Sequence, residues 1–121
     1  MPVRFDRDEA SQLLVAALDA LRVPILIHDD DLIIFANAAA AEFLGAEPGA
    51  DIAGLSLDAF VVPELASVTR ERRTYLLHTG MVFDALPIQM RTLDGRTVRL
   101  TIDARPIEFQ GHTIGLVTLA S

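Results

Sequence analysis

The sequence predicts a single α+β domain built on a five-stranded antiparallel sheet. Three observations in its 121 residues carry that expectation. A helical apolar stripe at the start ends at Pro24, and two short apolar runs then flank Asp29-Asp30-Asp31. Farther on, a period of two runs from Leu86 to Ala104 and is interrupted by the hairpin signal Asp94-Gly95.

The first element is a helix over about Arg7 to Leu21, with Asp6 as N-cap and Glu9 at capping-box spacing. Ser11, Leu14, Leu18 and Leu21 follow the spacing of a coiled-coil seam, and Leu13 and Ala17 widen it. That stripe fits either a helix packed on its own domain or a dimer seam. Pro24 stops the helix, and Ile25 to His28 and Leu32 to Ala36 form a hairpin. Both runs are apolar on both faces, so neither face of this hairpin is expected to be fully wet. The acidic triplet between them reads as a solvated turn rather than a cation loop, because no DxDxDG pattern follows.

Asn37 is then the N-cap of a short helix of strong formers, Ala38 to Leu44, closed by Gly45. Residues 46–54 are rich in Pro, Gly and Asp and read as loop. Leu55 to Val62 is a short helical or irregular piece ended by Pro63, and Glu64 to His78 is a longer helix. Its run Arg70-Glu71-Arg72-Arg73 reads as a solvated face rather than a phosphate or RNA site. In the strands that follow, Leu86, Ile88, Met90 and Thr92 share one face. Val98, Leu100, Ile102 and Ala104 alternate with Arg99, Thr101, Asp103 and Arg105. Pro87 inside a strand marks an edge. A turn over Glu108 to His112 leads into a last strand, Thr113 to Ala120.

Composition narrows the function classes. The chain is 51% hydrophobic and 22% charged, with mean hydropathy +0.38, which argues against disorder. No apolar run approaches the roughly 18–20 residues of a membrane span. The net charge of −7 argues against nucleic acid and anionic membranes as partners. There is no cysteine, and all ten basic residues are Arg, so thiolate and Schiff-base chemistry are excluded. A cytoplasmic protein is expected, since Arg4, Asp6, Arg7, Asp8 and Glu9 crowd the start where a secretory signal would be apolar. A chain this apolar and this small must hide apolar surface in a pocket or against a partner.

Pro24-Ile-Leu-Ile-His-Asp29, followed by Leu32-Ile-Ile-Phe-Ala-Asn37-Ala-Ala-Ala-Ala-Glu-Phe-Leu-Gly45, resembles the opening of PAS domains. These are sensory modules of bacterial kinases, cyclases and transcription regulators. Thr79-Gly80, Leu93-Asp94-Gly95 and the two closing strands fall where that family places them, so the resemblance covers about Leu18 to Ala120. One departure is the first hairpin, where Leu32 follows Asp31 without the usual glycine. The resemblance implies sheet order 2-1-5-4-3 with helices on one face. It also divides the chain into a leading amphipathic helix, 1–22, and the PAS domain proper, 23–121.

What the resemblance implies about function is regulatory, not enzymatic: a sensory module in signal transduction, as in two-component systems or transcription regulation. Such a module homodimerises, senses a small ligand in some cases, and controls an attached or partner output domain. Ala120-Ser121 ends where an output helix would begin, while Met1 reads as a natural start. No cofactor is assigned. Flavin and thioester chromophores in this family depend on a cysteine, and His78, at the end of its helix, is the only candidate haem ligand there. His28 and His112 read as surface or turn residues, and the spacing of the three histidines gives no metal pattern.

The expected inward side chains either pack solid at about 0.74 density or line an apolar pocket for an apolar small molecule. The pocket candidates are Ile27, Phe35, Phe43, Phe60, Leu65, Val68, Leu100, Ile102, Ile114 and Leu116. A carboxylate site is not expected, because the inward face of Val98 to Ala104 carries no Arg. The dimer-interface candidates are Leu14, Leu18, Leu21, Leu26 and Ile34, with the first helix covering the outer sheet face. An alternative of a different class is a small α+β cone enzyme of ketosteroid-isomerase type. It needs an acid or base in its cavity, and Asp103 and Asp84 are the candidates, although Asp103 alternates outward.

Overall fold

A computed structural model describes residues 7–121, so the expected Asp6 cap lies outside the described residues. Helix α1 (Arg7–Ala20) leads into a hairpin of β1 (Ile25–Asp29) and β2 (Leu32–Ala36). Helix α2 (Ala38–Phe43) follows, then 3-10 turns at Leu57–Phe60 and Pro63–Leu65, and helix α3 (Ala66–Thr79). Strands β3 (Phe83–Arg91), β4 (Thr97–Phe109) and β5 (His112–Ala120) complete the chain. The sheet order is β2-β1-β5-β4-β3 and every neighbouring pair is antiparallel. The strand holding Pro87 is therefore an edge, where a missing N–H removes no ladder bond.

Asn37 joins three of these elements. Its Oδ1 accepts from Ala40 N at 3.0 Å, capping α2, and from Ile25 N at 2.9 Å, at the start of β1. Its Nδ2 donates to Leu18 O at 2.9 Å and Val23 O at 2.8 Å, which ties down the end of α1. The side chain is completely buried, and both amide protons and the oxygen are used. Asp19 adds a further bond, its Oδ1 accepting from Ala38 N at 3.1 Å. Beyond this anchor α1 packs on α2 and leaves Leu13, Leu14, Val15 and Leu21 exposed, with Leu18 half-buried.

At the other end of α2, Gly45 takes φ +83°, and an added Cβ would sit 2.6 Å from Asp94 Oδ1. Glycine here lets the β3–β4 turn close on the helix end, where Leu93 N donates to Leu44 O at 2.8 Å. Asp94 itself accepts from Thr92 Oγ1 and from Arg96 Nε, and these bonds hold its carboxyl below the usual carboxylate range.

The core gathers Leu26, Ile33, Leu44, Ile52, Phe60, Leu76, Leu100, Ala104, Val117 and Leu119. This set corrects the expected phase of two strands. On β1 the inward side chains are Leu26 and His28, opposite Val117 and Gly115 of β5, so Ile25 and Ile27 point to the outer face. On β5 the inward set is Val117 and Leu119, opposite Ala104 and Ile102, so Ile114 and Leu116 lie outside. The cause is the turn at Gln110-Gly111, which pairs Phe109 with His112. That two-residue loop puts even-numbered residues of β4 on the same face as odd-numbered residues of β5. Phe35 follows Ile27 outward, because the two are directly paired.

Candidate functional site

A cavity of about 570 Å³ lies between the sheet and α3. Its apolar wall is built from both sides of the fold. Leu100, Ile102 and Ala104 of β4 and Val117 and Leu119 of β5 form the floor, while Phe60, Leu65, Val68 and Leu76 close it from the helical side. The cavity is partly open to solvent.

One part of this wall is polar. Arg73 of α3 lines the cavity with its side chain only 11% exposed. Its Nη2 lies 3.7 Å from Asp58 Oδ1, while Nη1 is buried and has no hydrogen-bond partner among the described residues. A buried guanidinium nitrogen without an acceptor is costly and uncommon. The expectation of a solvated face over Arg70 to Arg73 is corrected on this point. Arg70 is exposed, but the 3.6-residue turn of α3 that turns Leu76 inward also carries Thr69, Arg72 and Arg73 to the cavity.

His28 is the second polar group, and its expected surface position is also corrected. It is 4% exposed and lines the cavity. The ring lies against Gly115 of β5, where an added Cβ would meet Nε2 at 2.2 Å. Only glycine leaves room for an imidazole there. His28 Nδ1 donates to Asp30 O at 2.8 Å, which fixes that tautomer for the neutral ring. Burial chiefly lowers the His28 pKa below its ordinary 6.5, and the Arg73 charge adds to this against the opposing pull of Asp30 and Asp29. The ionisable residues along the cavity wall are His28, Arg72, Arg73 and Arg99, with no Asp or Glu among them.

The structure sorts the pocket candidates by face. Phe60, Leu65, Val68, Leu100 and Ile102 line the cavity. Ile27, Phe35, Ile114 and Leu116 lie on the opposite side of the sheet, and Phe43 packs against the core without reaching the cavity. Among the dimer candidates, Leu26 is corrected outright: it is 1% exposed and lines the cavity, so it faces no partner. Leu14, Leu21 and Ile34 are exposed, and Leu18 is half-buried at the Asn37 anchor.

His78 is exposed at the end of α3 and does not line the cavity. His112 pairs with Asp29 at 2.7 Å on the surface. Asp103 accepts from Ala85 N at 2.7 Å and Asp84 pairs with Arg105 at 3.3 Å, and all of these groups are exposed. The acid and base candidates of the cone-enzyme alternative are therefore outside the cavity. Sequence reasoning missed His28, Arg73 and Gly115 as one constellation. The signal that finds them is the short Gln110-Gly111 loop, which sets the β5 phase and through it that of β1.

A family model described as PAS domain matches residues 22–120. Among solved structures, the chain is similar to the PAS domain of the nitrogen regulation protein NR(II) from Vibrio parahaemolyticus. The identity is 25%, the match covers 90% of this chain and 97% of that one, and the TM-score is 0.68. A PAS domain of an HTR-like protein from Haloarcula marismortui matches at 18% identity, over 93% and 91% of the two chains, with a TM-score of 0.71. A PAS domain from a two-component sensor histidine kinase matches at 12% identity, over 94% and 97%, with a TM-score of 0.73. A comparison with curated proteins finds no match. With its sheet order, its cavity and a family match over most of its length in agreement, the chain belongs to the PAS domain family.

Proposed function

We propose that this PAS domain is a ligand-sensing module that reports occupancy of its sheet–helix cavity to a signalling output. PAS domains are sensory modules of signalling proteins, and the family assignment supports that role rather than catalysis. The observation that carries the finer reading is the cavity itself. It is about 570 Å³, largely apolar and partly open to solvent, and its size falls in the range of roughly 300–1,000 Å³ usual for small-molecule sites. Occupancy would act on an equilibrium between two packings of α3 and the sheet.

Homodimerisation belongs to the same proposal. The exposed Leu13, Leu14 and Val15 of α1, with Leu21 just beyond it, are apolar surface of the kind a second copy covers. Covering a few hundred Å² at about 25 cal/mol per Å² stabilises a dimer by several kcal/mol. The output domain, in a kinase, cyclase or transcription regulator, belongs to the proposal, as does the cytoplasmic setting. No helix among the described residues is long and apolar enough to cross a membrane.

The test is methyl NMR of the purified protein with octan-1-ol and octanoate as probes. Saturable shifts of the Leu100, Val117 and Leu119 methyls, with the outer Leu116 methyl unmoved, are expected. Failure of both probes to shift the inner methyls would overturn the ligand-sensing reading.

A further inference from the structure

We propose that the cavity takes a small monocarboxylic acid with an apolar body, its carboxylate paired with the Arg73 guanidinium at the polar end of the cavity. This rests on the ligand-sensing reading and adds the chemical class.

The unpartnered nitrogen is the first support. Asp58 lies 3.7 Å from Arg73 Nη2 and is itself 43% exposed. Nη1 is left buried without an acceptor among the described residues. A guanidinium is a planar fork that matches a carboxylate, and such charge-assisted pairs are the strong ones. In an apolar wall, the pairing also removes the cost of leaving that nitrogen unsatisfied.

Charge is the second support. The chain carries −7 overall, yet the helical wall of the cavity brings in Arg72 and Arg73, and no Asp or Glu lines it. The inside of the cavity thus has the opposite sign to the molecule. One buried guanidinium matches one negative charge. A phosphate dianion would need further buried donors to match its charge, and the neutral imidazole of His28 beside that guanidinium has already given its one N–H to Asp30 O.

Shape is the third. The polar groups stand beside a wall of Phe60, Leu65, Leu100, Val117 and Leu119. A molecule that satisfies both parts has a single anionic head and a hydrocarbon body. The space for His28 depends on Gly115, so this strand position is shaped around the imidazole rather than around a packed aliphatic core.

The experiment is calorimetric titration of the full chain with octanoate and with octanamide, which share a body and differ in charge. Octanoate is expected to bind at least about 10-fold more tightly, a difference of about 1.4 kcal/mol. Arg73→Gln is expected to abolish that preference. Arg70→Gln, at a position 64% exposed on the same helix, controls for net charge and is expected to keep it. Equal binding of the two probes by the wild-type chain would overturn the head-group assignment while leaving the cavity a binding site. A preference that survives Arg73→Gln, or that Arg70→Gln removes equally, would overturn it too. Binding of neither probe would instead sink the ligand-sensing reading beneath it. Should Arg73→Gln fail to fold, the wild-type pair of titrations decides alone.

Discussion

Asn37 and Arg73 are both polar, both enclosed by the same small fold, and opposite in how they are satisfied. At Asn37 every hydrogen-bonding atom has a partner, on α1, the α1–β1 link, β1 and α2. At Arg73 one nitrogen is loosely paired and the other has no partner among the described residues. A fully satisfied buried amide fixes one geometry, and its value lies in stability. An unsatisfied guanidinium in a cavity contributes little to the empty fold and leaves chemistry available to a guest. The contrast separates a structural polar group from a functional one without appeal to sequence position.

The sharpest way to break the comparison is at its satisfied end. Asn37→Ala removes the α2 cap, takes their Asn37 partner from Val23 O and Ile25 N, and leaves Leu18 O only its longer bond from Leu21 N. A loss of about 3 kcal/mol is expected by urea unfolding. Asn37→Asp keeps the acceptor but turns a charged oxygen toward two carbonyls, and it should restore little of that stability.

Next in size is the contact that admits His28. Gly115→Ala would bring a Cβ to 2.2 Å from Nε2 of a buried ring, so a cost of about 2 kcal/mol is expected. In a His28→Ala background the same change should cost far less, because the clashing ring is gone. A double-mutant cycle of unfolding free energies measures the coupling, and additive costs would contradict the packing described.

A smaller effect is expected with pH. The groups acting on His28 are Asp29 and Asp30 of its own hairpin and Arg73 of α3, with burial as the largest influence. Because the folded pKa is lowered, the unfolded chain takes up a proton below 6.5 that the folded chain resists. Stability contributed by neutral His28 is therefore present above that pH and is lost as pH falls through it. Urea midpoints from pH 8 to 5 should fall more steeply for the wild-type chain than for His28→Gln. Parallel profiles would show that the imidazole titrates as freely folded as unfolded.

The two ends also differ in how well the sequence announces them. Asn37 is legible as a cap because the run of alanines after it and Gly45 beyond are local signals. The strand order and the edge position of Pro87 were likewise within reach, the first through the family resemblance and the second through the strand chemistry of proline. The polar end of the cavity was not. Ile25 to His28 and Ile114 to Leu119 are apolar on both faces, so hydrophobic alternation does not choose the inward set. Cross-strand register chooses it, and register is a property of pairing. Arg73 was hidden for a related reason: in a run of four charged residues, composition does not reveal which side chain the helix turns inward.

Unfolding of Arg73→Gln with no added ligand tests most directly the claim that Arg73 serves a guest and not the fold. Removing a buried, largely unpaired charge should leave stability unchanged or raise it by up to about 1 kcal/mol, since the half-exposed Asp58 remains solvated. A loss of about 2 kcal/mol or more would contradict the account and place Arg73 beside Asn37 as part of the frame.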